Sequence, residues 1–140
     1  MKVLDEAIYA AYAASTLATT PLVTALYNTE AADDAVFPYI VFQLINGNTT
    51  EGATGPTFTE DMLLQFNIFS KNPALSNEAG PPIVYGSWVI EAALKLCYDF
   101  AALIVGGYDT LSCVRESTMQ TRDKKVWQVN VTYRIKLRKT

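Results

Sequence analysis

No histidine occurs among the 140 residues. That absence removes Ser-His-Asp and Cys-His nucleophilic machinery and every imidazole-ligated metal site. Cysteine is nearly absent too, with two residues, Cys97 and Cys113. They fall in a predicted helix and a predicted strand, and they read as small buried hydrophobes rather than a disulfide or a metal site. The chain has no C-x-x-C, no G-x-G-x-x-G and no phosphate-cradling G-x-x-x-x-G-K. No apolar run approaches the roughly 20 residues of a membrane span, so no membrane partner is expected. The early acids of MKVLDEAIYAAYAAS argue against a signal peptide, which wants a basic start. The expected place is a cytoplasm, or a particle assembled there. Adjacent acids occur at Asp5-Glu6, Asp33-Asp34 and Glu60-Asp61. A glycosidase or two-metal site needs carboxylates converging from separate elements, and these pairs read as solvated acids. Nothing here argues for an enzyme, and no cofactor is implied.

Basic residues are scarce over most of the chain. Residues 1 to 109 hold three bases (Lys2, Lys71, Lys95) against twelve acids, a net of −9. Residues 110 to 140 hold eight bases and two acids, a net of +6. Such asymmetry marks either a surface for an anionic partner or a solvated basic sheet face. Half of the residues are hydrophobic and 18% are charged, so the chain is a globular one and long enough for one domain with a sizeable core.

The most regular stretch is WQVNVTYRIKLR, residues 127 to 138. Trp127, Val129, Val131, Tyr133, Ile135 and Leu137 share one face of a strand, and polar, then cationic, residues share the other. A helix is expected over 3–17, where Leu4, Ile8, Ala11, Tyr12 and Ser15 keep helical spacing. Pro21 closes it, PLVTAL forms a short turn, and NTEAADDAV is an acidic loop. A strand is expected over 38–46 and a second over 62–70. The Gly/Thr-rich residues 47–60 between them form a long loop or the tip of an extended hairpin. KNPALSNEAGPP is another loop, and the prolines Pro81 and Pro82 suit the first turn of a helix over 82–100. Its apolar stripe is Tyr85, Val89, Ala92, Ala93, Leu96 and Phe100. Gly106-Gly107 ends this region. A strand over 110–120, turning in either Leu111 and Cys113 or Ser112 and Val114, is joined by TRDKK to the last strand.

The order αββαββ predicts an α+β domain with a mostly antiparallel four-stranded sheet, one face covered by two helices. The other face is expected to carry Arg134, Lys136 and Arg138, joined by Gln65, Asn67 and Arg115. Common RNA-binding modules share the sheet-and-helix plan but stack bases on exposed aromatics. Here Trp127 and Tyr133 lie on the apolar face, so the polar face suits a weak electrostatic surface better than base readout. A small nucleic-acid-binding module stays an alternative, as does a ligand pocket lined by some of the tryptophans and tyrosines.

FPYIVFQLI follows the first helix and acidic loop; a Gly/Thr-rich loop leads to LLQFNIFS; RES and RDKKVWQVNVTYRI close the chain. In this arrangement the chain resembles the tail terminator (tail completion) proteins of long-tailed bacteriophages and prophages. The likeness runs from the first helix to the last strand. Its sharpest pieces are Phe37-Pro38-Tyr39-Ile40-Val41, Gln65-Phe66-Asn67-Ile68-Phe69, and Trp127-Gln128 followed by Tyr133-Arg134. The Gly80-Pro81-Pro82 start of the main helix departs from the family's Ser/Asn-capped start. The resemblance implies a structural virion protein: a homo-oligomeric, hexameric ring that caps the tail tube, ends its polymerisation and joins the tail to the head's connector. DNA passes through without specific binding. Its partners are then its own copies, the tail tube protein and the connector protein, in the virion's tail or neck; another neck or connector protein is the nearest alternative. In a ring, Gly47, Thr50, Glu51, Gly55 and Phe58 of the long loop would touch a neighbour or the tube. Gln65, Asn67 and Phe69 would pack on a neighbour, and Arg134, Lys136 and Arg138 would meet its acids.

Overall fold

A computed structural model describes residues 2–20, 22–51, 58–71, 86–123 and 126–140. α1 spans Lys2–Ala14 and a short α2 spans Thr16–Thr19. The expected single helix breaks at Ser15, whose backbone is extended and whose hydroxyl donates to the Tyr12 carbonyl at 2.7 Å. A side-chain bond of this kind competes with the helical ladder. Leu4, Ala7 and Ile8 are the buried face of α1.

Where the turn PLVTAL is expected to run into the acidic loop lies a strand, β1, Leu26–Asn28, which pairs in parallel with the next strand. β2 runs Tyr39–Glu51 and β3 runs Phe58–Ser70, so the Gly/Thr-rich region is largely the two arms of a hairpin. β4 is Tyr108–Asp123 and β5 is Val126–Lys139. The sheet order is β1-β2-β3-β5-β4, and every pairing except β1 with β2 is antiparallel. The expected four-stranded sheet is thus five-stranded and mixed. A three-residue strand is too short to show any alternation, so sequence periodicity passed over β1.

One sheet face forms the core. The rungs Ile40–Ile68–Val129 and Phe42–Phe66–Val131 are aligned by register and buried. Leu64 and Tyr133 continue the face and are buried, while their partner Leu44 on β2 is 43% exposed. α1 and α3 (Ser87–Tyr98) cover this face. Tyr98 packs between Phe66, at 4.4 Å between ring centroids, and Tyr133, at 6.3 Å. Its buried hydroxyl donates to the Ile8 carbonyl at 2.9 Å, which ties α3 to α1.

α3 departs from expectation in its face. Its buried residues are Ser87, Ile90, Ala93, Leu94 and Tyr98; of the expected stripe Ala93 is buried and Val89 packs against the core, while Ala92, Leu96 and Phe100 are exposed. Leu96 is 87% exposed and Phe100 80%. The helix is apolar on more than one side, and the covering of the sheet selects which side goes in. The expected start at Pro82 and the stripe residue Tyr85 lie outside the described residues. The end comes two residues early, at Tyr98, and Phe100 takes a left-handed backbone, φ 56°.

β4 is longer than expected and irregular at Leu111 and Glu116, where the register with β5 shifts. Cys113 faces in and is buried, whereas Leu111 is 48% and Val114 41% exposed. The two thiols carry no disulfide; burial pushes the Cys113 thiol up to about 11 and raises that of Cys97.

Candidate functional site

The residues singled out from sequence fall into three places. Gly47, Thr50 and Glu51 lie on β2, opposite Met62, Thr59 and Phe58 of β3. Gly55 lies outside the described residues. The hairpin therefore brings Gly47, Thr50, Glu51 and Phe58 together at one end of the sheet.

Gln65, Asn67 and Phe69 lie on the sheet face opposite the helices. Gln43 Nε2 donates to Gln65 Oε1 at 3.2 Å. Asn67 is only 8% and Val41 7% exposed, because Thr29, Glu30 and Ala31 close over a concavity with Tyr39, Val41, Gln43, Asn67 and Phe69. Thr29 makes that crossing with a left-handed backbone, φ 68°, and its N–H donates to the Phe42 carbonyl at 2.7 Å. Phe69 stacks on Tyr39 with centroids 5.1 Å apart, and Tyr39 also meets Tyr27 and Phe37. This aromatic group on the outer face went unseen in the sequence, because its members come from β1, β2, β3 and a loop. It is half-buried and packed against itself, so it differs from a row of open stacking rings.

Arg134, Lys136 and Arg138 project from β5 on that same outer face. Arg134 Nη1 binds Asp61 at 2.9 Å, and its Nε binds Glu116. These two carboxylates, Glu116 first, hold its guanidinium above the usual range. Arg138 Nη2 reaches Asp109 at 3.1 Å. Lys136 sits opposite Asp61 and Ser112 in register and is exposed; among the described residues it has no ion pair. The basic strand is thus largely neutralised by acids of β3 and β4. Asp61, Asp109 and Glu116 are distant from it in sequence, and only strand register reveals the pairing.

Sequence reasoning missed the most exposed apolar surface. Leu96 (87%), Phe100 (80%) and Ile104 (91%) stand on the outside of α3 and the segment that follows it. Leu111 and Val114 of β4 adjoin them. Shallow concavities run between: one of about 570 Å³ beside Leu96, Asp99 and Arg115; one of about 250 Å³ between Phe100–Ala102 and Thr110–Val114; one of about 400 Å³ lined by Ala7, Ala11, Cys97 and Ile104. Asp99 fixes this corner. It accepts a 2.6 Å bond from the Tyr133 hydroxyl and pairs with Arg115 at 3.7 Å. Beyond it the Phe100 N–H donates to the Cys113 carbonyl at 2.9 Å. A left-handed backbone at a bulky residue costs roughly 1–2 kcal/mol that glycine would avoid. The fold therefore holds an aromatic ring in solvent at a strained position.

Among the described residues, no three His, Cys, Asp or Glu side chains gather into a metal site, and no helix is long and apolar enough to cross a membrane. No protein-family model matches the chain, and no curated protein matches it. One solved structure, "Virion of native gene transfer agent (GTA) particle", contains a chain that aligns with a TM-score of 0.65 at 13% identity, covering 96% of this chain and 94% of that one. At that identity the likeness establishes a shared fold along almost the whole of both chains.

Proposed function

We infer that this protein is a structural subunit of a phage-like virion, that it acts as a tail terminator, and that it performs no chemistry of its own. In this role it closes into a ring of six on the end of the tail tube, stops further tube growth and forms the joint to the head connector. DNA passes through without being gripped. The observation that carries the reading is the end-to-end fold likeness to a chain of a gene transfer agent virion. It stands beside the independent resemblance of the FPYIV, QFNIF and WQ…YR stretches to tail terminators. The surface agrees with a packing role: its prominent features are apolar side chains and half-covered sheet residues. Gly47, Thr50, Glu51 and Phe58 at the hairpin end, and Gln65, Asn67 and Phe69 on the outer face, are the contacts proposed for neighbours or the tube. The intrachain pairs of Arg134 and Arg138 shift the weight of charge contacts in β5 onto Lys136.

Light scattering across concentration and salt tests this. The expected result is a mass near six times 15.4 kDa, or a monomer–ring equilibrium that concentration drives toward the ring. A chain that stays monomeric throughout, and that also fails to sediment with purified tail tubes, overturns the assignment.

A further inference from the structure

We propose that the seam between copies is built from the Phe100 corner of one subunit and the bulged edge of β2 in the next. This rests on the ring reading and specifies its interface.

A ring needs two different surfaces on one chain that fit each other after a rotation. The sheet offers them at its opposite edges. On one side β1 covers β2 only as far as Phe42, and among the described residues no strand pairs with that edge beyond it. Leu44 (43% exposed) and Ile45 (50%) stand there, Ile45 in the bulge where the register with β3 shifts. On the other side lies β4, bordered by the extended segment 101–105. Leu103 and Val105 of that segment are buried, and Ala102 and Ile104 are exposed, the alternation of a strand. Among the described residues, the backbone N–H groups of 102 to 105 donate to no backbone carbonyl.

The two edges also match in height. Strand register places Leu44, Leu64, Tyr133 and Arg115 on one rung. The Phe100 N–H donates to the Cys113 carbonyl, and the Cys113 rung runs through Ile135 and Met62 to Gly47, so the Phe100 corner stands level with the uncovered part of β2 just past Ile45. A rotation about an axis along the strands keeps such levels and sets Phe100 against the β2 bulge of the next copy. The seam is thus apolar at mid-sheet. A large aromatic held outward against its own backbone preference is the natural anchor of such a contact.

Two variants of the full chain test it. Phe100→Gly relieves the left-handed strain, so its thermal midpoint as a dilute monomer should be unchanged or higher. Its self-association should weaken by about tenfold or more, the loss expected for an interface anchor. A merely structural Phe100 would not separate the two readouts in this way. The double variant Ile45→Cys with Phe100→Cys, mildly oxidised, should give a reducible ladder of cross-linked subunits that neither single variant nor the parent protein gives. If the parent protein forms rings while Phe100→Gly assembles with unchanged affinity, or the double variant gives no ladder, the seam is wrong and the ring reading stands. If the parent protein forms no ring either free or on tail tubes, both fall.

Discussion

At the scale of single residues, burial and hydroxyl chemistry make the most direct prediction. Cys113 has its thiol raised from 9.0 to about 11, first by burial, then by the nearby Asp99 charge against a backbone hydrogen bond from Ala101. Tyr98 and Tyr133 are raised above 10.0, again first by burial, and at Tyr133 also by Asp99. Raised acids favour the fold while they keep their protons. The contribution is therefore complete below the unfolded values of 9.0 and 10.0 and is lost as pH climbs through the folded ones. The melting temperature should hold level from neutral pH to about 9 and fall steadily above it, in a thermal scan series taken in dilute protein. A flat profile to pH 11 would mean that Cys113 and the two tyrosines are not buried as described.

The charged residues of β5 illustrate a different lesson. In the sequence, Arg134, Lys136 and Arg138 are a run of cations on the polar side of one strand. In the fold, Asp61, Glu116 and Asp109 reach two of them from the strands on either side. Paired guanidinium groups leave little net field for a polyanion to sense. DNA should therefore show no detectable gel shift with this protein at about 50 mM salt. A shift that weakens steeply as salt rises would favour the nucleic-acid reading instead.

Among the elements, α3 is the one whose sequence reading and structure differ most usefully. Its approximate position follows from periodicity, but its length, 12 residues from Ser87 to Tyr98, and its buried face do not. Leu94 is fully buried and Leu96 is 87% exposed, two positions apart on the same helix. Leu94→Ala should destabilise by about 2–5 kcal/mol, the range for emptying a packed leucine site. Leu96→Ala should change stability by no more than about 0.5 kcal/mol in monomeric conditions. Denaturant titration of the two variants measures this, and equal effects would contradict the rotation of the helix face. Packing on the sheet causes the rotation. Tyr98 must reach the ring of Phe66 and the carbonyl of Ile8, and only one helix orientation lets it do both.

β5 is the opposite case. Its alternation over 127 to 138 specified both faces, and Val129, Val131, Tyr133, Ile135 and Leu137 are all buried. A central strand covered on one face leaves no freedom in which side turns inward. The hairpin of β2 and β3 stands between these extremes. Its arms extend to Glu51 and back from Phe58, in a composition of threonine and glycine that suits a loop equally well. Cross-strand pairing, rather than local preference, carries those arms.

At the scale of the whole molecule, two edges and one covered face determine what the protein can do. The helices take one face of the sheet, the loop after β1 partly closes the other, and the edges are left with exposed leucine, isoleucine and phenylalanine. In the proposed ring, the exposed apolar groups at opposite edges of the sheet meet head to tail, and closure leaves no edge unpaired. The mass measurement and the Phe100→Gly variant address this scale directly, because both read the assembly rather than the subunit.

The sequence by itself determined the fold class, the two covering helices, the four long strands and the inward face of β5. It also excluded histidine-based catalysis outright. Each of these follows from local composition or from a periodicity of two or near four residues, which one stretch of chain displays alone. Only the tertiary structure decided the rest: the short parallel strand β1, the buried side of α3, the carboxylates that answer Arg134 and Arg138, and the strained, solvent-facing Phe100. All four depend on residues far apart in the chain meeting across the sheet, and no local pattern encodes such meetings.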